Sequence, residues 1–364
     1  MTAPLEKIQA SLKRKKLDSL LVTQPENRFY LSGYTAADVS IAESAGVLLI
    51  PARSTPMLLT DSRYFLQAES EAGGFDVVLC RDTLFSTLEK TLSHMKFKNM
   101  AFESNYMLYS AALKLQKLGK KLNISMIPVL GLIEGLRLKK TSDEIGYIRN
   151  AVLLNEKVFQ AAYISLRPGQ TERQVAMKIE AMMREQGAAG PAFETIVASG
   201  PNAALPHAVP TNKEIQEGET VIIDMGLKLH SYCSDMTRTV VLGKPDRQTI
   251  EIFRIVRKAQ LAGQQKIKAG ITAQQADRAA RQIIRQAGFG PHFGHSLGHG
   301  VGLAVHEAPS LNRHHRNKLQ PGMVVTVEPG IYIPGWGGVR LENMVVVEQG
   351  GCTLLNQDST FLDL

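Results

Sequence analysis

Cysteine is scarce in this 364-residue chain: there are three, Cys80, Cys233 and Cys352, odd in number and without CxxC spacing. That excludes a disulfide framework and a thiolate metal cluster, and it reads as free thiols in a reducing compartment, the cytoplasm by default. Long apolar runs are missing too. None reaches a membrane span, and MTAPLEKIQASLKRKKL at the N-terminus lacks the apolar core of a signal peptide. No Gly-rich phosphate loop opens a helix, so nucleotide binding has little support. Net charge is +8, part of it in Lys13-Arg14-Lys15-Lys16 and Arg313-His314-His315-Arg316. Both runs are short and lack interleaved aromatics, so they read as solvated faces and not as a nucleic-acid surface.

What is present suits a globular protein of two domains, with 44% hydrophobic and 21% charged residues. The first third alternates strand-like and helix-like segments. Met1–Lys16 is a helix by its apolar spacing, and Ser19–Val22, Ala45–Ile50, Pro56–Leu59, Asp76–Cys80 and Asn99–Glu103 read as strands. Thr83–His94 and Ser110–Leu118 read as helices, so this part is an α/β sheet domain. The boundary falls within Gly131–Lys140, giving domains 1–133 and 134–364. The second part has the α+β pattern helix, helix, strands twice over. Helices start at Thr141 or Ser142 and near Thr171, then at Gln248 and Ala273. The strand groups are Glu194–Ser199, Thr220–Met225 and Asp235–Leu242, then Val324–Glu328, Gly330–Ile333 and Gly338–Val347. This repetition predicts two similar halves around a shared sheet.

Five metal-ligand-type residues lie on those Gly/Pro-framed strands and loops. They are Asp224 in VIIDMG, Asp235 in SDMTRT, His299 in GHSLGHGVG, Glu328 in TVEPGIYIPG and Glu342 in VRLENM. Acids are depleted in apolar strands and costly to bury unpaired, so four such placements call for a shared cation. One ion would leave a large surplus of negative charge, whereas two ions sharing carboxylates would not. If the Asp224 and Asp235 strands pair, a turn centred on 229/230 puts the aspartates opposite each other, and one centred on 230/231 puts Asp224 opposite Thr237. Both registers place the carboxylates on one face. A loop centred near Gly335 does the same for Glu328 and Glu342. His299 lies between glycines, where the backbone can approach a metal closely.

The segments ETIVASGPNAALPHAVP, VIIDMG, SDMTRT, GHSLGHGVGLAVHEAP, GMVVTVEPGIYIPG and GVRLEN resemble the pita-bread metallopeptidases: aminopeptidase P, prolidase and methionine aminopeptidase. The resemblance implies that Asp224, Asp235, His299, Glu328 and Glu342 are the metal ligands, with Asp235 and Glu342 bridging two ions. It implies a catalytic water or hydroxide between the ions, with Glu328 handling its proton. His207, His295 and His306 match substrate-side histidines, which could donate hydrogen bonds to the developing oxyanion or the scissile amide. Arg340 resembles an arginine that orients substrate or ligand in the proline-specific branch. One departure is Asn343, where relatives commonly carry aspartate. His306-Glu307 does not begin an HExxH motif, because residue 310 is serine and Pro309 interrupts the helix. Cys233 shares a strand face with Asp235 and reads as a small buried thiol.

ENRFYLSGYT and LLTDSRYFLQAES resemble the creatinase-like N-terminal domain of proline-specific members, which in relatives helps form a dimer and narrows the active site towards short peptides. The resemblance implies a homodimeric Xaa-Pro aminopeptidase or dipeptidase acting on short proline-containing peptides. Oxygen-rich ligation favours manganese, with cobalt and zinc compatible with His299. Two further readings are a metal-free amidinohydrolase and a non-catalytic binding homologue, and the intact five-residue set speaks against both. A dipeptidase must recognise a free carboxylate near the scissile bond. Arg313–Lys318 could supply a cation for it, although a solvated loop is the plainer reading.

Overall fold

The computed structural model describes residues 3–359 and divides after Arg137 into two compact units. Met1 and Thr2, with which the first helix was expected to open, lie outside the described residues, as does the stretch 360–364.

The N-terminal unit holds a six-stranded sheet in the order β4-β3-β2-β1-β5-β6. Its strands are β1 (Ser19–Val22), β2 (Val47–Pro51), β3 (Met57–Thr60), β4 (Asp76–Leu79), β5 (Asn99–Glu103) and β6 (Ser125–Val129). Helices α1 (Ala3–Arg14), α2 (Pro25–Ser32), α3 (Phe65–Glu71), α4 (Leu84–Ser93), α5 (Tyr109–Leu122) and the single turn α6 (Glu134–Arg137) accompany it. Alternation decides which face each strand residue serves. Leu20 and Leu48 join a core with Leu5, Ile8 and Leu12 of α1. Leu21 and Leu49 join a second core with Leu88 and Leu92 of α4 and Leu115 of α5. With both faces covered, the strands read as continuous apolar runs.

Sequence patterning did not anticipate α2, α3 or β6. In α2 the reason is plain, because three of its four buried residues, Asn27, Arg28 and Ser32, are polar and Leu31 alone is apolar. Arg28 is fully buried, paired with Asp38 at 2.9 Å and donating to the Ala36 carbonyl at 2.6 Å. Asn27 donates to the buried Glu103 carboxylate, which also accepts the Thr23 and Gln24 amides. No apolar period marks such a segment.

In the C-terminal unit, helices α7 (Ser142–Ile164) and α8 (Glu172–Glu185) precede one strand group, and α9 (Arg247–Lys266) and α10 (Ala273–Gln286) precede the next. Thr141, Thr171 and Thr272 each close a capping box with Glu144, Gln174 and Gln275. Each cap is worth about 1 kcal/mol and fixes where the helix starts. The first group comprises β7 (Gly190–Pro191), β8 (Ile196–Ser199), β9 (Thr220–Met225), β10 (Leu227–Leu229), β11 (Tyr232–Cys233) and β12 (Met236–Val241). The second comprises β13 (Gly298–Gly300), β14 (Glu307–Leu311), β15 (Val324–Val327), β16 (Gly330–Ile333), β17 (Gly337–Arg340), β18 (Asn343–Val347) and β19 (Cys352–Leu354). Phe159, Ile179 and Met183 pack on Val197, Val221 and Ile223 in one half; Phe253, Val256 and Ile284 pack on Val325, Val327 and Val345 in the other.

The halves meet at β12 and β17. Thr239 Oγ1 both donates to the Arg340 carbonyl (2.8 Å) and accepts its amide (3.0 Å), and the Glu342 amide donates to the Thr237 carbonyl at 3.1 Å. The single strand expected over Gly338–Val347 is therefore two. β17 pairs with β16, β18 pairs with β15, and Leu341-Glu342 changes partner between them.

Candidate metal centre

Register brings the acids together. On β9 and β12, Asp224 lies opposite Thr237, and Lys228 opposite Cys233 continues the same alignment toward a turn at His230-Ser231. Of the two registers considered above, the structure takes the one centred on 230/231. Both turn residues have left-handed backbones, at φ 49° and 68°. In the second half, Gly330 pairs with Arg340 and Val327 with Asn343, so one alignment centred on residue 335 runs through both ladders. Glu328 and Glu342 sit at the junction, facing each other across it.

The glycines beside His299 have a packing role. A side chain at Gly298 would collide with the Thr326 backbone, and one at Gly300 with the Ala308 backbone. They let β13 pass closely between its neighbours, which sets the ring's position.

Donor atoms of Asp235, His299 and Glu342 lie within 4.8 Å of one another. His299 Nε2 stands 3.5 Å from Asp235 Oδ2 and 3.4 Å from Glu328 Oε1. Burial, reinforced by the nearby His306, lowers the His299 pKa to about 4, so the ring is neutral. Its Nδ1 is 3.1 Å from the Gly300 carbonyl, which fixes the proton there and leaves Nε2 as a bare lone pair. A lone pair aimed at two carboxylates is repulsive unless a cation lies between them. Asp224 Oδ1 and Glu342 Oε1 are likewise buried with no hydrogen-bond partner. Burial raises the pKa of Asp235 and of Glu328, with Glu342 adding to each shift. Burial, then Asp224, pushes Glu342 up to about 8. Converging oxygens with one imidazole, short of hydrogen-bond donors, fit a pair of divalent cations.

Around these residues runs a chain of donors. Arg340 Nη2 meets Asp224 Oδ2 at 2.6 Å, Nη1 donates to the Tyr332 hydroxyl at 2.9 Å and to the Pro206 carbonyl at 3.0 Å, and Nε donates to Thr237 Oγ1 at 3.1 Å. Burial works against its charge, yet Tyr332 and Asp224 raise its pKa. Tyr332, pushed up to about 12 by burial, keeps its proton. Since its oxygen accepts from Arg340, that proton points at His295 Nε2, 2.9 Å away. His295 Nδ1 lies 2.8 Å from the Ser296 carbonyl. Burial and then Arg340 lower its pKa to about 4, so it carries one proton, at Nδ1. Both nitrogens are thus committed inside the protein. In this arrangement His295 buttresses Tyr332.

His306 packs edge-on against His299 with ring centroids 4.4 Å apart, and burial followed by His207 lowers its pKa. His207 is exposed and stands close enough to His295 and His306 to affect both electrostatically. Its loop is fastened by Glu172, whose buried carboxylate accepts from the amides and hydroxyls of Ser199 and Thr211 and from Asn202 Nδ2. Cys233 is buried with its thiol 3.5 Å from the Leu303 carbonyl, and Asn343 is buried beside Glu342. Arg313, Arg316 and Lys318 are exposed.

Tyr332, Thr237 and Glu172 escaped sequence reasoning, because aromatic and β-branched residues are ordinary in strands and a helix-start glutamate is ordinary too. A signal for Tyr332 existed. An alignment centred on 335 sets it opposite Gly338, where an added Cβ would lie 3.0 Å from the Tyr332 ring.

Fold and donor set together define a two-domain metallohydrolase. Residues 146–349 match metallopeptidase family M24, and residues 4–139 match the creatinase/prolidase N-terminal domain. The chain belongs to metallopeptidase family M24. It is 36% identical to a Xaa-Pro dipeptidase of Pyrococcus horikoshii over 98% of this chain and 97% of the relative. It superposes on a Xaa-Pro dipeptidase from Bacillus anthracis with a TM-score of 0.91, at 37% identity, covering 98% and 97% of the two chains. An X-Pro aminopeptidase from Thermotoga maritima gives 0.86 at 34%, covering 96% and 98%. The fold is that of the pita-bread enzymes. Among the described residues, no helix is long and apolar enough to cross a membrane.

Proposed function

We propose that this chain hydrolyses the Xaa-Pro bond of dipeptides or of the N-terminus of short peptides, using two divalent ions held by Asp224, Asp235, His299, Glu328 and Glu342. The observation that carries the reading is the bare His299 Nε2 lone pair between Asp235 and Glu328. Asp235 and Glu342, the pair that the resemblance assigns to both ions, would be shared by them. Such ions supply a Lewis acid to a carbonyl and lower the pKa of water.

The remaining work belongs to the side chains. Glu328, with a raised pKa and Thr326 Oγ1 3.3 Å from its Oε1, is the group that takes and returns a proton at its carboxylate. His306 and His207 stand on the open side, where an imidazole N–H can donate to a substrate carbonyl or amide. Arg340 holds Asp224 in place, and Tyr332 ties it to His295. The same reading makes the enzyme a manganese-loaded homodimer of the cytoplasm, divided into a creatinase-like part and a catalytic part. Oxygen-rich ligation supports the metal, and the three free cysteines support the compartment.

Matched substrates test this: a Xaa-Pro dipeptide and a Xaa-Pro-Yaa tripeptide, assayed after chelation and again after adding manganese. Manganese-restored cleavage is expected. Cleavage of the dipeptide alone marks a dipeptidase, and preference for the tripeptide marks an aminopeptidase. Restored activity on neither overturns the proline-specific reading.

A further inference from the structure

From the bonds around Glu342 we infer that Thr237 is a positioning residue for the metal site, a deepening that rests on the ligand assignment above. Thr237 is fully buried on β12, opposite Asp224. Its hydroxyl oxygen is 3.1 Å from Arg340 Nε and 2.7 Å from Glu342 Oε2. The guanidinium can only donate, so the hydroxyl accepts there and its single proton goes to Glu342 Oε2. Arg340 therefore dictates which way the Thr237 hydroxyl points.

The consequence falls on the carboxylate. With Oε2 held by the hydroxyl, the Glu342 side chain is restrained in rotation and Oε1 is left buried without a hydrogen-bond partner. Oε2 keeps a second lone pair. The backbone of Glu342 is fixed from the same strand, its amide donating to the Thr237 carbonyl (3.1 Å) and its carbonyl accepting from Arg238 Nη1 (2.6 Å). Asp224 and Glu342 are thereby joined by one relay, Asp224–Arg340–Thr237–Glu342, which sets two ligands against each other before any ion arrives. Such outer partners of metal ligands are worth 10–100-fold in metal affinity.

The test is calorimetric titration of the chelated protein with manganese, comparing wild type, Thr237→Val and Thr237→Ser, with far-UV circular dichroism of each metal-free form. Thr237→Val is expected to keep the fold and to lose roughly 10–100-fold in affinity for at least one ion. Thr237→Ser, which keeps the hydroxyl, is expected to bind within a few-fold of wild type. Unchanged affinity in Thr237→Val, or equal losses in both variants, overturns the inference while leaving the ligand assignment intact. If wild type itself takes up no ions, the ligand assignment fails and Thr237 with it. Should Thr237→Val not fold, Thr237→Ala removes the same hydroxyl and carries the same comparison.

Discussion

The proposed function asks Glu328 to be both ligand and proton carrier, two demands that pull in opposite directions. A ligand must be charged, whereas a proton carrier must hold its proton some of the time. Burial raises its pKa, which favours the second task, and His299 Nε2 at 3.4 Å marks where a cation would favour the first. Glu328→Gln keeps an oxygen donor but cannot exchange a proton. It is expected to lower kcat by about 10²–10⁴-fold, measured on a Xaa-Pro substrate at saturating manganese, with circular dichroism unchanged. At this scale the sequence was most legible where a residue was out of place. Four acids in apolar, Gly/Pro-framed segments are conspicuous because each is costly to bury alone. Tyr332 and Thr237 were invisible because nothing about their type conflicts with a strand. The commitment of His295 to Tyr332 and Ser296 needed coordinates, since a histidine in a motif does not announce which of its nitrogens is free.

Elements were legible where a local chemical signal fixed their ends. The starts read at Thr141 or Ser142, near Thr171 and at Ala273 lie within a residue or two of those of α7, α8 and α10, each of which a capping box fixes. The hidden helix α2 and the break at Leu341-Glu342 are tertiary effects, one from a buried polar network and one from a change of strand partner, and no local pattern encodes either. Glu172 shows how an element can act at a distance. It opens α8, yet its carboxylate fastens both ends of the loop that carries His207, while Arg340 holds the middle through the Pro206 carbonyl. Hydrogen bonding keeps its charge despite burial, and its pKa is lowered overall. Glu172→Ala strands donors on Ser199, Asn202 and Thr211, at a cost to stability of roughly 3 kcal/mol. KM is expected to rise more than kcat falls, because His207 loses its place while the ligands keep theirs. Chemical denaturation and steady-state kinetics check the two halves of that expectation.

For the whole molecule, the excess of carboxylates makes stability a function of both pH and metal. In the chelated protein Glu342 has a folded pKa of about 8, and Asp235 and Glu328 are raised too. Their unfolded values lie near 4. Those acids bind more protons folded than unfolded, while His295 and His299, lowered to about 4, bind fewer up to about pH 6.5, so the two sets offset each other there and stability falls as pH rises from about 6.5 to about 8. Divalent ions compete with the same protons, so the stabilisation they bring grows across the same window. Melting temperatures of chelated and manganese-loaded protein, taken from about pH 6.5 to about 8, should diverge upward. A metal-free curve that rises over that range contradicts the shifts. The repeat of helix, helix, strands was legible at this scale from spacing, but the meeting of the halves at β12 and β17, which assembles the site, was not.

The double fastening of the His207 loop has a consequence for change over time. Leu205 and Val209 flank the histidine and are 58% and 69% exposed, while the hooks that hold their segment are Glu172 and Arg340, rooted in other elements. What must stay fixed and what is free to vary are carried by different residues. The two side chains can be exchanged without loosening the frame beneath them, which makes positions 205 and 209 a natural place for lineages, or an engineer, to vary the surface beside His207 at little cost in stability.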